Sequence, residues 1–170
     1  MKRLTLLSAL SAAIFVLAIS ASATAGDSKG QVGFDKLTVL VGEWEGQAED
    51  GSSREASYKL ISGGTALMET LKAEAEAPMV TIYNLDDDRV ALTHYCTGNN
   101  QPRMQTEPIS GDPKVLDFTF TGGTNLTSTN HAHISGLVVT FQDQDHFMQK
   151  WTWKESGKDH FTTVQFTRKK

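Results

Sequence analysis

Residues 42–168 repeat a single pattern, in which short runs of alternating apolar and polar side chains are separated by turn signals. In the first run Trp44 and Ala48 share one face, and Asp50-Gly51 follows as a hairpin signal. A period of two residues is typical of a strand with one buried face. About ten such runs follow at regular spacing, which predicts an all-β domain built as a single up-and-down antiparallel barrel of about ten strands.

Three segments depart from this alternating pattern. Phe34, Leu37 and Leu40 recur at helical spacing and predict a short N-terminal helix that packs against an apolar surface such as a barrel mouth. Residues 66–77 are rich in Ala and Glu, so that a helix competes there with the strand we favour. Prolines flank the segment around Arg103, which predicts an edge strand or an irregular one.

The first residues have the parts of a secretory signal peptide. A basic start precedes a short apolar stretch, and Ala23 and Ala25 form an A-x-A cleavage site. We therefore divide the chain into a signal peptide, residues 1–25, and one barrel domain, residues 26–170, and predict a periplasmic or secreted location. The apolar stretch is short for a membrane span, so we expect no stable membrane insertion, with an uncleaved N-terminal membrane helix as the alternative.

Charge and cysteine content narrow the class of partner. The net charge is −4 and the Lys and Arg residues are scattered, whereas nucleic acid and anionic membranes require them in clusters. Cys96 is the single cysteine, so an intrachain disulfide is impossible, and we interpret it as a small buried side chain. Neither a catalytic triad order nor a phosphate-binding loop is visible, and the sequence therefore does not indicate an enzyme.

The stretch Gly42-Glu43-Trp44, at the start of the first strand, resembles the G-x-W signature of lipocalins and other calycins. In that superfamily a basic residue from the end of the barrel packs on the Trp, and the resemblance gives this place to Arg168. Guanidinium over indole is a favourable cation–π pair, which would close one end of the barrel. The resemblance implies a cavity for a ligand and implies no reaction.

Two narrower likenesses accompany this motif. Extended to Gly46, it is similar to the motif of nitrobindin-like barrels, which bind haem through a His on a late strand, and His160 is the nearest candidate for that role here. Residues 93–96, 100–104 and 145–151 resemble a group of secreted bacterial calycin-like proteins of unknown function. This second likeness spans most of the barrel domain.

His131 and His133 form the clearest polar pattern. Residues two apart on a strand point to the same face, and parity places both with the apolar face of a long strand. Two imidazoles on one face could bind zinc or iron if Glu69 or His94 supplied a further ligand. They could also anchor a polar group of an organic ligand, or form a hydrogen-bonded cluster without a metal.

Three other polar side chains lie on predicted strands. A turn brings His94 towards Arg103, and this pair could hold a ligand carboxylate because Arg offers a bidentate fork. Exposure of Arg103 on the solvent side of its strand is the alternative. Glu69 could be a buried general base with a raised pKa, but we favour an outward orientation for it.

Three hypotheses of function follow. The first is an exported binding protein that needs no cofactor and holds a small apolar or amphiphilic molecule inside the barrel. Its cavity would be lined by Tyr58, Leu92, Phe118, Val139 and Trp151, with His94, Arg103, His131 and His133 as polar anchors. The second is a metal- or haem-dependent enzyme or redox protein that uses His131 and His133. The third is a packed envelope protein that binds only another protein. The sequence identifies neither the ligand nor the oligomeric state.

Overall fold

The computed structural model describes residues 29–74, 76–128 and 131–170, so the predicted signal peptide lies outside the described residues. The described chain contains one α-helix, α1 (Lys29–Thr38), one 3₁₀ turn (Ser62–Gly64) and ten strands. The strands are β1 (Gly42–Ala48), β2 (Ser53–Ile61), β3 (Ala66–Ala73), β4 (Met79–Asp86), β5 (Arg89–Tyr95), β6 (Gln101–Gln105), β7 (Val115–Thr124), β8 (His133–Phe141), β9 (His146–Glu155) and β10 (Lys158–Arg168).

The strands form one closed antiparallel barrel in which each pairs with its neighbours in sequence and β1 pairs with β10. The closing pair aligns Trp44 with Arg168 and Ala48 with Val164. Closure leaves no free edge, so each strand can turn one face to a shared core and the other to solvent. The predicted fold class, an all-β up-and-down barrel of ten strands with a short helix before the first, is confirmed.

The sequence left alternatives open for residues 66–77 and for the segment around Arg103, and the structure has a strand in each. Residues 66–73 form β3 because Leu67 and Leu71 pack into the barrel core, which outweighs the helix propensity of the neighbouring residues. β6 is irregular, with a bulge between Arg103 and Met104, but it is paired to β5 and β7 and is therefore not an edge.

One end of the barrel is covered by α1, and we call it the closed end. Phe34 and Leu37 on the helix, and Leu40 just after it, are almost fully buried in the core. The helix packs closely on β4 and β5, since a Cβ atom at Gly30 would lie 2.6 Å from the Asp87 carbonyl oxygen. None of the helices in the three described ranges is long and apolar enough to cross a membrane.

Trp44 and Arg168 meet at the closed end. The Arg168 guanidinium carbon lies 4.1 Å from the centroid of the Trp44 ring. The same guanidinium donates hydrogen bonds to the carbonyl oxygens of Val39 (2.7 Å) and Val41 (3.0 Å), in the segment that joins α1 to β1. These contacts tie the helix, the first strand and the last strand together.

The opposite end of the barrel, where β1 turns into β2 and β9 into β10, carries no helix in the described ranges, and we call it the open end.

Candidate functional site

A buried carboxyl group lies in the middle of the barrel. Glu69 on β3 has no exposed surface. Its Oε2 accepts a hydrogen bond from the Tyr83 hydroxyl (2.6 Å), and its Oε1 accepts one from Nε2 of Gln149 (2.8 Å). Gln149 Nε2 also donates to the Tyr58 hydroxyl oxygen (2.9 Å). The favoured outward orientation of Glu69 is therefore wrong. It shares the inward face of Leu67, and its neighbours supply the hydrogen bonds that a buried carboxyl group needs.

Burial dominates the electrostatics of this network. It raises the pKa of Glu69 above its ordinary value, although the hydrogen bonds from Tyr83 and Gln149 act in the opposite direction. Burial, followed by the charge of Glu69, raises the pKa of the Tyr58 and Tyr83 hydroxyls well above their ordinary range. Both hydroxyls thus stay protonated at neutral pH, and a fully buried Glu69 has no surface through which to act as a general base on a substrate.

Gln149 connects this network to two aromatic rings nearer the open end. Its Oε1 accepts a hydrogen bond from the Trp151 indole N–H (3.1 Å). The Trp151 ring lies 4.8 Å from the His94 ring, centroid to centroid, at an angle of 45°. His94 is 2% exposed, and its Nδ1 is 2.9 Å from the Thr81 hydroxyl. Burial lowers the pKa of His94 to about 4, so its imidazole is neutral at pH 7.

The two rings form part of the wall of a pocket at the open end, with a volume of about 200 Å³. The residues that line this open-end pocket are Arg54, Leu71, Glu76, Met79, His94, Ile134, Trp151, Thr162 and Val164. Eight of these nine residues come from seven of the ten strands, and Glu76 comes from the connection between β3 and β4. Leu71, Trp151 and Val164 belong to the buried core, so the pocket lies over the core rather than on the outer face. An enclosed cavity of about 150 Å³ can hold benzene, which makes this pocket suitable for one ring or a short chain.

A larger groove of about 680 Å³ lies at the closed end, between α1 and the turn from β8 to β9. Four of its charged groups form two ion pairs, and Lys114 and Asp143 line it as well. Lys36 lies 3.1 Å from the carboxylate of Asp112, and the Arg168 side chain lies 3.4 Å from that of Asp145. Arg168 is already engaged in closing the barrel, whereas the open-end pocket has the two buried rings of His94 and Trp151 in its wall, so the open-end pocket is the stronger candidate site.

The structure brings some of the predicted site residues together and separates others. His94 and Trp151 border the open-end pocket, while Tyr58 lies behind it in the buried network. Arg103 is exposed on the outer face of β6, where it pairs with Thr93. Adjacent residues of a strand face opposite sides, so Arg103 and His94 point away from each other. The expectation that His94 and Arg103 hold one carboxylate is wrong.

His133 is buried, with 7% of its surface exposed, but it does not border the open-end pocket. β8 begins at this residue, and a bulge between Ile134 and Gly136 shifts the register that follows. As a result Ile134 lines the open-end pocket, while His133 pairs with Lys154 and packs against the Phe120 ring, 4.7 Å away. Parity does not carry across a bulge, because the extra residue turns the chain to its other face.

His131 precedes β8 and is partly exposed. Its Nδ1 lies 3.0 Å from the Thr127 hydroxyl, and its carbonyl oxygen accepts a hydrogen bond from Nδ1 of His133 (2.6 Å). Neither histidine borders the open-end pocket, so the structure does not support them as anchors of a ligand there. Glu69 lies apart from both, in the barrel core, and His160 is exposed on β10. Within the described ranges no three His, Cys, Asp or Glu side chains are placed to hold a metal ion.

Two residues that sequence reasoning missed have central positions. Gln149 connects the buried carboxyl group to Trp151, and Arg54 lines the open-end pocket. Strand alternation predicts an inward position for both, because Arg54 lies two residues before Ala56 and Gln149 lies two residues before Trp151. Cys96, predicted to be buried, is partly exposed, with its sulfur 3.3 Å from the side-chain oxygen of Asn100.

No protein-family model matches this chain, and no curated protein matches it either. Among solved structures it is similar to Rv2717c from M. tuberculosis, with 13% sequence identity, a TM-score of 0.58, and coverage of 81% of this chain and 97% of that one. A protein of unknown function from the DUF3598 family of Nostoc punctiforme gives 14% identity and a TM-score of 0.46, over 78% of this chain and 49% of that one. The redesigned β-barrel mFAP1, bound to DFHBI, gives 14% identity and a TM-score of 0.34, over 77% and 96%. The first similarity shows a shared fold, and the other two are too low to support a conclusion.

Proposed function

We propose that this chain is an exported binding protein of the calycin type, which holds a small apolar or amphiphilic molecule in the open-end pocket. The observation that carries the proposal is the pocket itself, about 200 Å³ in volume, with the buried rings of His94 and Trp151 in its wall. Export is supported by the signal-peptide features of residues 1–25, and a calycin relationship by the G-x-W motif with Arg168 over Trp44.

The chemistry of the wall favours an organic ligand. Leu71, Ile134 and Val164 supply apolar surface, and His94 adds a neutral polar group. Ligand sites in proteins combine a mainly apolar lining with a few placed polar groups. The hydrogen bond from Trp151 to Gln149 holds the indole in position before any ligand arrives, and such preorganisation lowers the entropic cost of binding.

The binding site is confined to the mouth of the barrel. The four other predicted lining residues, Tyr58, Leu92, Phe118 and Val139, are almost fully buried and belong to the packed core. None of them borders the open-end pocket. A ligand of this site is therefore expected to be one ring or a short chain, rather than a long lipid that fills the barrel.

The metal- or haem-dependent alternative has less support. It requires a further ligand beside His131 and His133, and none of the described His, Cys, Asp or Glu side chains is placed to complete such a site. His160, the candidate for haem, is exposed and does not border the open-end pocket.

Filling the pocket should abolish binding. We expect Ile134→Trp to weaken the affinity for 3-phenylpropan-1-ol, a neutral ligand with one ring, by at least about tenfold, because the larger side chain occupies the pocket volume. Isothermal titration calorimetry measures the affinity, and circular dichroism verifies that the variant is folded. The matched control is Val39→Trp, which places the same side chain in the closed-end groove. Unchanged affinity in Ile134→Trp, or a loss confined to Val39→Trp, would contradict the proposal.

A further inference from the structure

We infer that the ligand of the open-end pocket is a small anionic amphiphile, whose negatively charged head is bound by Arg54 while its apolar end lies against Trp151 and His94. This inference rests on the proposed function, since it names the chemical class of the ligand for the same pocket.

Arg54 faces into the mouth of the barrel. On β2 the residues Ala56 and Tyr58 are buried in the core, and Arg54 shares their face because it lies two and four residues before them. Its side chain is partly buried and lines the open-end pocket. Charged residues on the inward face of a barrel strand are unusual, since a buried charge is costly without a partner or a ligand.

The hydrogen bonds of Arg54 hold it in place without neutralising it. Its Nη1 donates to the Ser52 hydroxyl oxygen (2.8 Å) and to the Ser53 carbonyl oxygen (2.9 Å). The Ser52 hydroxyl in turn donates to the carboxylate of Asp50. A guanidinium has five N–H donors, so two hydrogen bonds through Nη1 leave it able to bind a carboxylate.

Arg54 has no ion pair within 4.0 Å among the described residues. Several carboxylates lie in its neighbourhood, among them those of Asp50, Glu76 and the exposed Glu74. Oδ1 of Asp50 accepts hydrogen bonds from the backbone N–H and the hydroxyl of Ser52, and the charge of Arg54 is a further, smaller cause of the lowered pKa of Asp50. Glu76 lines the same pocket but is exposed to solvent. The positive charge at the mouth is therefore available to an anionic ligand.

The inner part of the pocket disfavours an anion. His94 is neutral at pH 7, and the Trp151 N–H is already donated to Gln149. The carboxyl group of Glu69 lies behind both, on the far side of Gln149. An anionic head placed there would lose its hydration without gaining a cation, whereas at the mouth it meets Arg54 and solvent. The pocket thus orients an amphiphile with its apolar end inward.

Three ligands that differ only in their head group test this inference: 3-phenylpropanoate, 3-phenylpropan-1-ol and 3-phenylpropylamine. By calorimetry at low salt, we expect the wild type to bind the carboxylate about tenfold to a hundredfold more tightly than the alcohol, and the amine most weakly. The preference for the carboxylate should fall as salt is raised, because Arg54 is partly exposed. Arg54→Gln should remove the preference for the carboxylate, because the cation that binds its head is lost. Arg54→Lys should retain part of it, since Lys keeps the charge without the fork.

Arg103→Gln is the matched control, because Arg103 is exposed on the outer face and should not affect any of the three ligands. Equal affinity of the wild type for carboxylate and alcohol, tighter binding of the amine, or a preference that survives Arg54→Gln would overturn the inference. The proposed function would stand in those cases, provided that the alcohol still binds and is lost in Ile134→Trp. If no ligand of the three binds, the proposed function fails and the inference with it.

Discussion

Replacing Trp44 with alanine should lower the free energy of unfolding by about 3–5 kcal/mol, the range for large aromatic deletions in a packed core. Trp44 is 1% exposed and meets the Phe147 ring edge-on at 4.7 Å. Its indole N–H donates to the Leu40 carbonyl oxygen (2.7 Å), and its ring supports the Arg168 guanidinium. The variant loses packing, a buried hydrogen bond and the cation–π pair together. Urea denaturation followed by circular dichroism measures the change.

The matched control for this variant is Trp153→Ala, which removes the same side chain from the open end of β9, where it is only partly buried. We expect a clearly smaller loss of stability there. The folded fraction of Trp44→Ala should also bind 3-phenylpropan-1-ol as the wild type does, because Trp44 does not border the open-end pocket. Equal losses in the two Trp variants, or impaired binding by folded Trp44→Ala, would contradict the role of Trp44 as a structural closure.

Acidification should destabilise the fold through His94 by about 3 kcal/mol between pH 7 and pH 4. Burial lowers the pKa of this imidazole from 6.5 to about 4. The unfolded chain therefore takes up a proton near pH 6.5, while the folded protein stays neutral at this site until about pH 4. A lowered folded-state pKa of a base gives stability that is present above pH 6.5 and is lost as the pH falls towards 4.

The His94→Gln variant isolates this effect, because an amide can hydrogen bond to Thr81 but does not titrate. We expect the difference in unfolding free energy between wild type and variant to shrink by about 3 kcal/mol from pH 7 to pH 4. Glu69 titrates in both proteins, so its contribution cancels in the difference. His160→Gln, at an exposed position, should follow the wild type at every pH. A difference that stays constant with pH would show that His94 is not buried in a neutral form.

The sequence was sufficient to predict the architecture, because the pairing of neighbouring strands depends on local strand and turn patterns. Period-two alternation and turn residues such as Asp50-Gly51 predict hairpins, and a chain of hairpins has few ways to bury its apolar face. The pairing of Arg168 with Trp44 came from a resemblance to calycins, and the aligned register of β1 and β10 explains it.

The site was predicted less well, because its geometry depends on two features without a local signal. The bulge at residues 134–136 shifts the register of β8 and places Ile134, rather than His133, in the wall of the open-end pocket, and nothing in the sequence marks the extra residue. Glu69 was expected to face solvent because it is charged. Its burial depends on Tyr83 and Gln149, which lie 14 and 80 residues away in the chain. Such compensation appears only when the strands are placed side by side.

The inward positions of Arg54 and Gln149 were accessible from the sequence. Each lies on the same strand face as apolar residues that the sequence identifies, so strand parity alone predicts its inward position. Arg54 lines the open-end pocket, and Gln149 supports the wall of the pocket through its hydrogen bond with Trp151.

The ligand of this protein is proposed to bind in the open-end pocket. The three tryptophans report directly on where a ligand binds, because each has one indole N–H signal in a ¹H–¹⁵N NMR spectrum and they lie at different depths of the barrel. During a titration with 3-phenylpropanoate, we predict a saturable shift of the Trp151 signal, while the Trp44 signal stays in place. A saturable shift of Trp44 without Trp151, or no saturable shift at any of the three, would contradict the claim.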